Sequence, residues 1–253
     1  MLGLGVGFYG VGGDMDAKGS WLPSDEASLE AWYKVGTGIT DLKPGVSAWA
    51  NQSSVGSDYD MLQSNVNRRP TVTGSGLGVI TFSDTSSGAN LPDQLEIDVA
   101  GGADHIILDG AFVMGLKFNA TLSGSVVVGS NQVNNEMLKL QTTTTLRLKN
   151  DSGTKDFILS SGSTTDDSYW VISRDGSDNV TVYKDGSTSV FSTSMPQSRD
   201  GTFDIDAIGV RNSGSAGGGG TNNFDGTVTE IMVFKGTTSA ALIANVNDRL
   251  STL

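Results

Sequence analysis

Glu96 and Asp98 stand two residues apart in Leu95-Glu96-Ile97-Asp98-Val99, on one face of a strand whose apolar residues point the other way. Paired acids are what glycoside hydrolysis uses, one to attack or activate water and one to protonate the leaving oxygen. His105 is the single histidine, with Asp104 and Asp109 close by. A serine–histidine–aspartate triad needs only one histidine, but the chain has no Gly-x-Ser-x-Gly elbow. A lone histidine at a strand start therefore reads first as a structural or surface residue. Gly5, Gly7 and Gly10 satisfy Gly-x-Gly-x-x-Gly formally, yet no strand precedes them and no helix pattern follows, so a nucleotide cradle is not indicated.

Cysteine is absent, which removes disulfides, thiolate catalysis and cysteine metal sites together. One histidine cannot supply the three or four nitrogen or sulfur ligands that zinc takes. Calcium takes oxygen ligands, and Asp166-Asp167, Asp175-Asp178-Asn179 and Asp204-Asp206 offer them, but none fits the Asp-x-[Asp/Asn]-x-[Asp/Asn]-Gly loop. Acidic turns are the simpler reading, and no cofactor is implied. Among Trp21, Trp32, Trp49 and Trp170, an exposed ring could stack on a sugar. Trp49, beside Asn51 and Gln52, is the best glycan-binding candidate, with core packing as the competing reading. Glu230 shares the parity of Val228, Met232 and Phe234, an unusual place for a charge. A buried pairing follows, with Arg211 or Arg174 as partner, because an unpaired buried carboxylate costs several kcal/mol, on the order of a large mutational effect.

The elements that must position these residues are strands. Thirty-four glycines against five prolines in 253 residues, with abundant Ser, Thr and Asn, indicate many short strands joined by tight turns. That length suits one large all-β sandwich without a linker between domains. The net charge of −12 repels phosphate backbones, so nucleic acid is not an expected partner. No apolar run reaches the length of a membrane span, and the N-terminus lacks the basic and apolar regions of a signal peptide. Period-two alternation marks strands at 29–35, 79–82, 111–118, 169–174 and 179–184, the last two forming a hairpin about Asp175-Gly176-Ser177-Asp178. Residues 138–148 keep one apolar parity, as one long strand or as two meeting near the threonines. After Ala207 the apolar phase shifts by one, as in a β-bulge. From Val228 to Phe234 apolar residues fall on both parities, so that strand needs cover on both faces. One cover is a helix with Ser239 as N-cap and Leu242, Val246 and Leu250 at i, i+4 and i+8.

The series Val180-Thr-Val-Tyr-Lys-Asp-Gly186, Ile208-Gly-Val-Arg-Asn212 and Phe224-Asp-Gly-Thr-Val-Thr-Glu-Ile-Met-Val-Phe234, closed by a helix, resembles the end of a concanavalin A-like, laminin-G-type jelly roll. Ser47-Ala-Trp49-Ala-Asn51-Gln-Ser-Ser54 is similar to the Trp-x-Asp/Asn-x-Ser element after that family's first strand. With the Met1-Leu-Gly-Leu-Gly5 start, the chain resembles virion structural proteins of tailed phages of marine cyanobacteria. The resemblance implies an all-β antiparallel two-sheet jelly roll over 21–253, with a short C-terminal helix and a glycine-rich N-terminal arm over 1–20. It also implies a non-enzymatic capsid decoration or tail or neck accessory, made in the bacterial host cytoplasm, mounted on the virion among other virion proteins and self-associating. The alternative is a lectin-like adhesion module for host-surface glycans. Laminarinases share that fold and carry Glu-x-Asp-x-(x)-Glu on the catalytic strand. Here Ala100 and Gly101 stand where the last acid belongs, so the acid–base set is incomplete. Leu2, Leu4, Phe8 and Tyr9 lie in an arm without core period, the expected composition of a docking strand that orders on a partner's sheet edge.

Overall fold

The computed structural model describes residues 21–41, 45–74, 78–84, 91–97, 105–130, 137–210 and 222–253. The arm with Leu2, Leu4, Phe8 and Tyr9, and also Asp98 and Arg211, lie outside the described residues. The first strands in chain order are β1 (Leu29–Lys34), β2 (Ile39–Asp41), β3 (Val46–Trp49), β4 (Met61–Leu62), β5 (Thr71–Thr73), β6 (Val79–Phe82) and β7 (Leu95–Ile97). Next come β8 (Ile106–Leu108), β9 (Phe112–Ala120), β10 (Val126–Gly129), β11 (Leu138–Thr142), β12 (Thr145–Asn150) and β13 (Gly153–Ile158). The last are β14 (Ser168–Arg174), β15 (Asn179–Lys184), β16 (Gln197–Ser198), β17 (Phe203–Ile205), β18 (Ala207–Ile208) and β19 (Gly226–Lys235), before helix α1 (Ala240–Ser251).

The strands pair antiparallel into two large sheets, giving the β-sandwich jelly roll. One sheet runs β16-β15-β14-β9-β19-β6-β5, with β1 also on β19; the other runs β13-β12-β11-β10-β18-β7-β4-β3-β2. Alternation decides which side chains meet between them. Phe112, Met114, Leu116 and Phe118 of β9 face Leu138, Leu140, Leu146 and Leu148 within one buried cluster. The stretch 138–148 is two strands, turning at Thr143 and Thr144 with Leu138 opposite Leu148. The phase shift near Ala207 is a change of sheet rather than a bulge within one strand. β17 pairs with β8 in a small two-stranded sheet, fully buried Asp206 takes the corner, and β18 enters the second large sheet between β10 and β7.

A second core lies on the outer face of the first sheet. Val113, Val171, Met232 and Phe234 meet Leu242, Val246 and Leu250 of α1 there, all buried. Ser239 Oγ accepts the Leu242 N–H at 3.0 Å, capping the helix start. Burial of the three helix residues contributes on the order of 1.5–3 kcal/mol each. Gly115 lets the helix approach: a β-carbon on it would come 2.6 Å from Val246 Cγ1.

β19 serves both cores because it carries a real bulge. Val228 faces Phe118 and Glu230 faces Lys117, leaving Thr229 as the extra residue. Before the bulge even-numbered Val228 points into the sandwich; after it, odd-numbered Ile231 and Val233 do. Glu230, Met232 and Phe234 are thereby turned outward beneath α1. Glu230 is fully buried, and its partner is Arg249 of that helix rather than Arg174. Arg249 Nε donates to Oε1 at 2.6 Å and Nη2 to Oε2 at 3.2 Å, while Trp32 Nε1 donates to Oε1 at 2.7 Å. The Arg249 guanidinium also lies 5.1 Å over the Trp32 ring. Arg174 is spent elsewhere, donating to the carbonyls of Gly110, Leu108 and Gly201 between the rings of Phe112 and Phe203.

Two predictions come from these placements. Arg249→Met leaves the Glu230 charge buried and unpaired, and should cost about 3–5 kcal/mol in denaturant unfolding. Glu230→Met combined with Arg249→Met should recover much of that loss, since stranding the charge is the costly event. The second concerns Asp93, whose carboxyl is raised from 3.8 to about 6 by burial first and by the Asp225 charge, against a hydrogen bond from the Ser83 N–H. The folded protein holds this proton more tightly than the unfolded chain, so the group destabilises above pH ~6 and the penalty fades as pH falls toward ~4. Asp93→Asn should therefore raise stability at pH 7.5 by on the order of 1 kcal/mol, allowing for partial exposure, and change it little near pH 4. Thermal melts of both proteins across that range check it.

Candidate functional site

Helix α1 covers only part of the outer sheet face. On β9 the outward row Val113, Gly115, Lys117, Asn119 begins beneath the helix and emerges beyond its C-terminal end. On β19 the outward residues pass from Phe234, Met232 and Glu230 under the helix to Thr229 and Thr227 in the open. A cleft of about 480 Å3 occupies this uncovered part. Lys117, Asn119, Thr227 and Thr229 form its polar floor, with Val79 at the β6 side. Asp167, just before β14, and Leu253, just past α1, stand at its margins.

The backbone explains why the opening falls where it does. β19 pairs with β6 through Gly226–Val228 and with β1 through Glu230–Phe234, so its edge changes neighbour at Thr229. Thr229 O accepts the Val35 N–H at 3.1 Å, holding the bulge against the residue after β1. Thr71, Thr81, Thr227 and Asn119 lie in register across four strands. Side chains from rigid, adjacent strands thus line one face with hydroxyl and amide groups.

Charge in the cleft is balanced. Lys117 Nζ lies 3.1 Å from Asp167 Oδ1, with the lysine mostly buried and the aspartate 67% exposed. Neighbouring Asp166 is engaged by the Ser163 N–H at 2.7 Å and Lys184 Nζ at 3.2 Å. The Ser163 bond comes first in holding its carboxyl below the usual range. This arrangement binds by hydrogen bonds from fixed positions. Asp167 is the one acidic side chain among the described lining residues, so no pair of acidic side chains flanks a bond there.

The residues singled out from the sequence lie elsewhere. Trp49 is fully buried, stacked at a tilt 5.7 Å from Tyr33, with Nε1 donating to Lys34 O at 3.1 Å. No ring face remains for a sugar, which corrects its assignment as a glycan platform. Asn51 is also buried: Oδ1 accepts from the N–H groups of Trp32 and Ser53, and Nδ2 donates to Ser53 Oγ and Gly56 O. Ser53 Oγ in turn donates to Glu30 O at 2.7 Å, so the Trp-Ala-Asn-Gln-Ser element staples its loop to β1. Trp170 is core, Trp32 lies under Arg249, and Trp21 packs 6.0 Å from Phe234.

Glu96 sits on the partly exposed side of β7, accepting from the Gln94 amide, between inward Leu95 and Ile97. His105 Nε2 is 3.8 Å from Asp204 Oδ1, and burial chiefly raises the Asp204 carboxyl, opposed by His105. Ser130 Oγ donates to buried Asp206 at 2.9 Å. Asp175 accepts the N–H groups of Ser177 and Asn179 and locks the β14–β15 turn. Among the described residues, no trio of His, Asp or Glu is placed to hold a metal ion. The cleft residues were missed because threonine, asparagine and a lysine on separate strands form no motif.

No family model matches this sequence, and no curated protein matches it. Solved structures match in fold. A botulinum neurotoxin type C structure, from work reporting cell entry dependent on interaction with two ganglioside molecules, aligns at TM-score 0.52 and 9% identity over 89% of this chain and 51% of that chain. The botulinum neurotoxin serotype D/C VPI 5993 binding domain aligns at 0.51 and 10% identity, over 91% and 53%. The binding domain of Paraclostridial Mosquitocidal Protein 1 aligns at 0.50 and 11%, over 91% and 53%. The chain thus spans about half the length of these structures. At such identity the likeness is one of fold, an antiparallel β-sandwich shared with toxin binding domains.

Proposed function

We propose that this protein is a non-enzymatic carbohydrate-binding module that serves adhesion. The observation that carries the reading is the cleft at the end of α1, where Lys117, Asn119, Thr227 and Thr229 offer donors and acceptors above a rigid sheet. Its volume falls within the roughly 300–1,000 Å3 of small-ligand sites. A sugar presents hydroxyls that both donate and accept, and threonine and asparagine side chains meet both needs. The ganglioside interaction reported for the botulinum neurotoxin type C neighbour supports glycan binding in general by fold analogy alone; its sialylated ligand class is not carried over to this cleft.

Asn119→Ala combined with Thr229→Val removes two of the floor's polar groups. Each lost hydrogen bond is worth about 0.5–1.5 kcal/mol, so glycan affinity should fall about fivefold or more. Glycan-array screening followed by calorimetry on the best ligand measures this, with thermal melts to confirm folding. No glycan bound at millimolar concentration, or binding indifferent to both changes, would reject the reading.

The sequence resemblance supplies a setting in which adhesion has a use: a tailed-phage virion, with this domain as capsid decoration or tail or neck accessory. Partners there would be other virion proteins and further copies of the chain, docked through the N-terminal arm. Mass spectrometry of purified particles is expected to find the chain in fixed stoichiometry with capsid or tail proteins. Its consistent absence from particles defeats that setting while leaving glycan binding open.

A further inference from the structure

We infer that the cleft selects uncharged glycans, with the Asp167 carboxylate bonding to adjacent hydroxyls of a sugar ring and sialylated or sulfated glycans excluded. The inference rests on the carbohydrate-binding reading and adds the chemical class of its ligand. Its basis is the Lys117–Asp167 pair at 3.1 Å. Lys117 is the one cation among the described lining residues, and its charge is already balanced by Asp167. An anionic sugar reaching Lys117 would sit beside the Asp167 carboxylate, like charge against like, in a protein whose net charge of −12 disfavours anions.

A neutral sugar makes no such demand. Lys117 is 16% exposed and holds Oδ1, fixing the orientation of an Asp167 side chain that is itself 67% exposed. A carboxylate has lone pairs on both oxygens and can accept from two neighbouring hydroxyls at once. The remaining lining matches the rest of such a ring. Val79 and Leu253, the latter 38% exposed, offer apolar surface to its C–H face, while Thr227, Thr229 and Asn119 meet further hydroxyls. Phe118 is 1% exposed, so the described lining offers no aromatic face on which a nucleobase could stack. Lys117 acts here as a positioning residue that both aims the carboxylate and cancels its charge.

The test compares neutral hexose oligosaccharides with the same oligosaccharides oxidised at C6 to uronic acids, or sulfated, by calorimetry at low and physiological salt. The wild-type protein should bind the neutral series at least tenfold more tightly than either charged series. Asp167→Asn should weaken neutral binding about tenfold and, by leaving Lys117 unpaired, should narrow or reverse the discrimination against anions. Lys117→Met should keep anions excluded. Asp167 is largely exposed, so Asp167→Asn should keep the parent melting curve. Tighter wild-type binding of the charged series, or an Asp167→Asn variant with unaltered selectivity, overturns the inference while leaving carbohydrate binding standing. Absence of binding by neutral and charged glycans alike rejects the carbohydrate reading, and the inference with it.

Discussion

A carboxylate with no exposure to water sits beneath the helix, and the outer half of the molecule is arranged to satisfy it. Glu230 has three donors: two from Arg249 and one from the Trp32 indole. They come from two distant parts of the chain, the helix α1 and the first strand β1, so one acceptor group ties both ends of the described fold to the central strand β19. Replacing such an ion pair by apolar side chains is often neutral or stabilising. Its contribution here is better described as specificity. The apolar contacts of Leu242, Val246 and Leu250 hold the helix on the sheet, but apolar contact is tolerant of sliding. A bidentate arginine is not, and it fixes the last turn of α1 at one register over β19.

That register decides where the open surface begins. Leu253 follows the last helical turn and stands at the margin of the cleft, so pinning Arg249 also sets the cleft's edge. The bulge at Thr229 performs the complementary task on the strand. It turns Glu230 outward to meet the helix, and it lies where β19 passes from β6 to β1 as neighbour. With unbroken alternation from inward Val228, Glu230 would point into the apolar space between the sheets and Ile231 and Val233 would turn outward. Thus a single backbone irregularity supports the charge pair and the gap beside it. Bulges commonly re-aim side chains in this way beside binding sites.

Much of the scaffold was legible from the sequence because burial imposes periods that can be read locally. Phe112, Met114, Leu116 and Phe118 could hardly alternate as they do without facing a core, and Ser239 with Leu242, Val246 and Leu250 spelled out a capped amphipathic helix. The oddity of Glu230 was visible too. Its partner was not, because pairing across nineteen residues depends on the angle at which α1 crosses the sheet, which no local period encodes. The mixed parity of 228–234 showed that β19 is covered on both faces but concealed the bulge that divides them. Trp49 and Asn51 misled for a general reason: an aromatic beside amides has the same composition whether it stacks on a sugar or fastens a loop. Only burial separates the two. The cleft was least legible, since Lys117, Asn119, Asp167 and Thr227 acquire meaning through strand register alone.

A site built this way has a characteristic strength. Its floor comes from three hydrogen-bonded strands, so little entropy is lost in ordering the protein on binding, and donor positions are well defined. The described lining nevertheless has no aromatic ring face and few apolar side chains, while each neutral hydrogen bond merely exchanges with water for a small net gain. On the carbohydrate-binding proposal, affinity for one sugar is then modest and discrimination matters more, because a misplaced charge costs more than a well-placed hydroxyl gains. Modest single-site affinity is useful when many copies act together. Effective concentration can then raise avidity far beyond one site, provided the sites face the same surface. The cleft's own placement suits such use: it lies on the outer sheet face, with its strand-built floor directed away from the sandwich core.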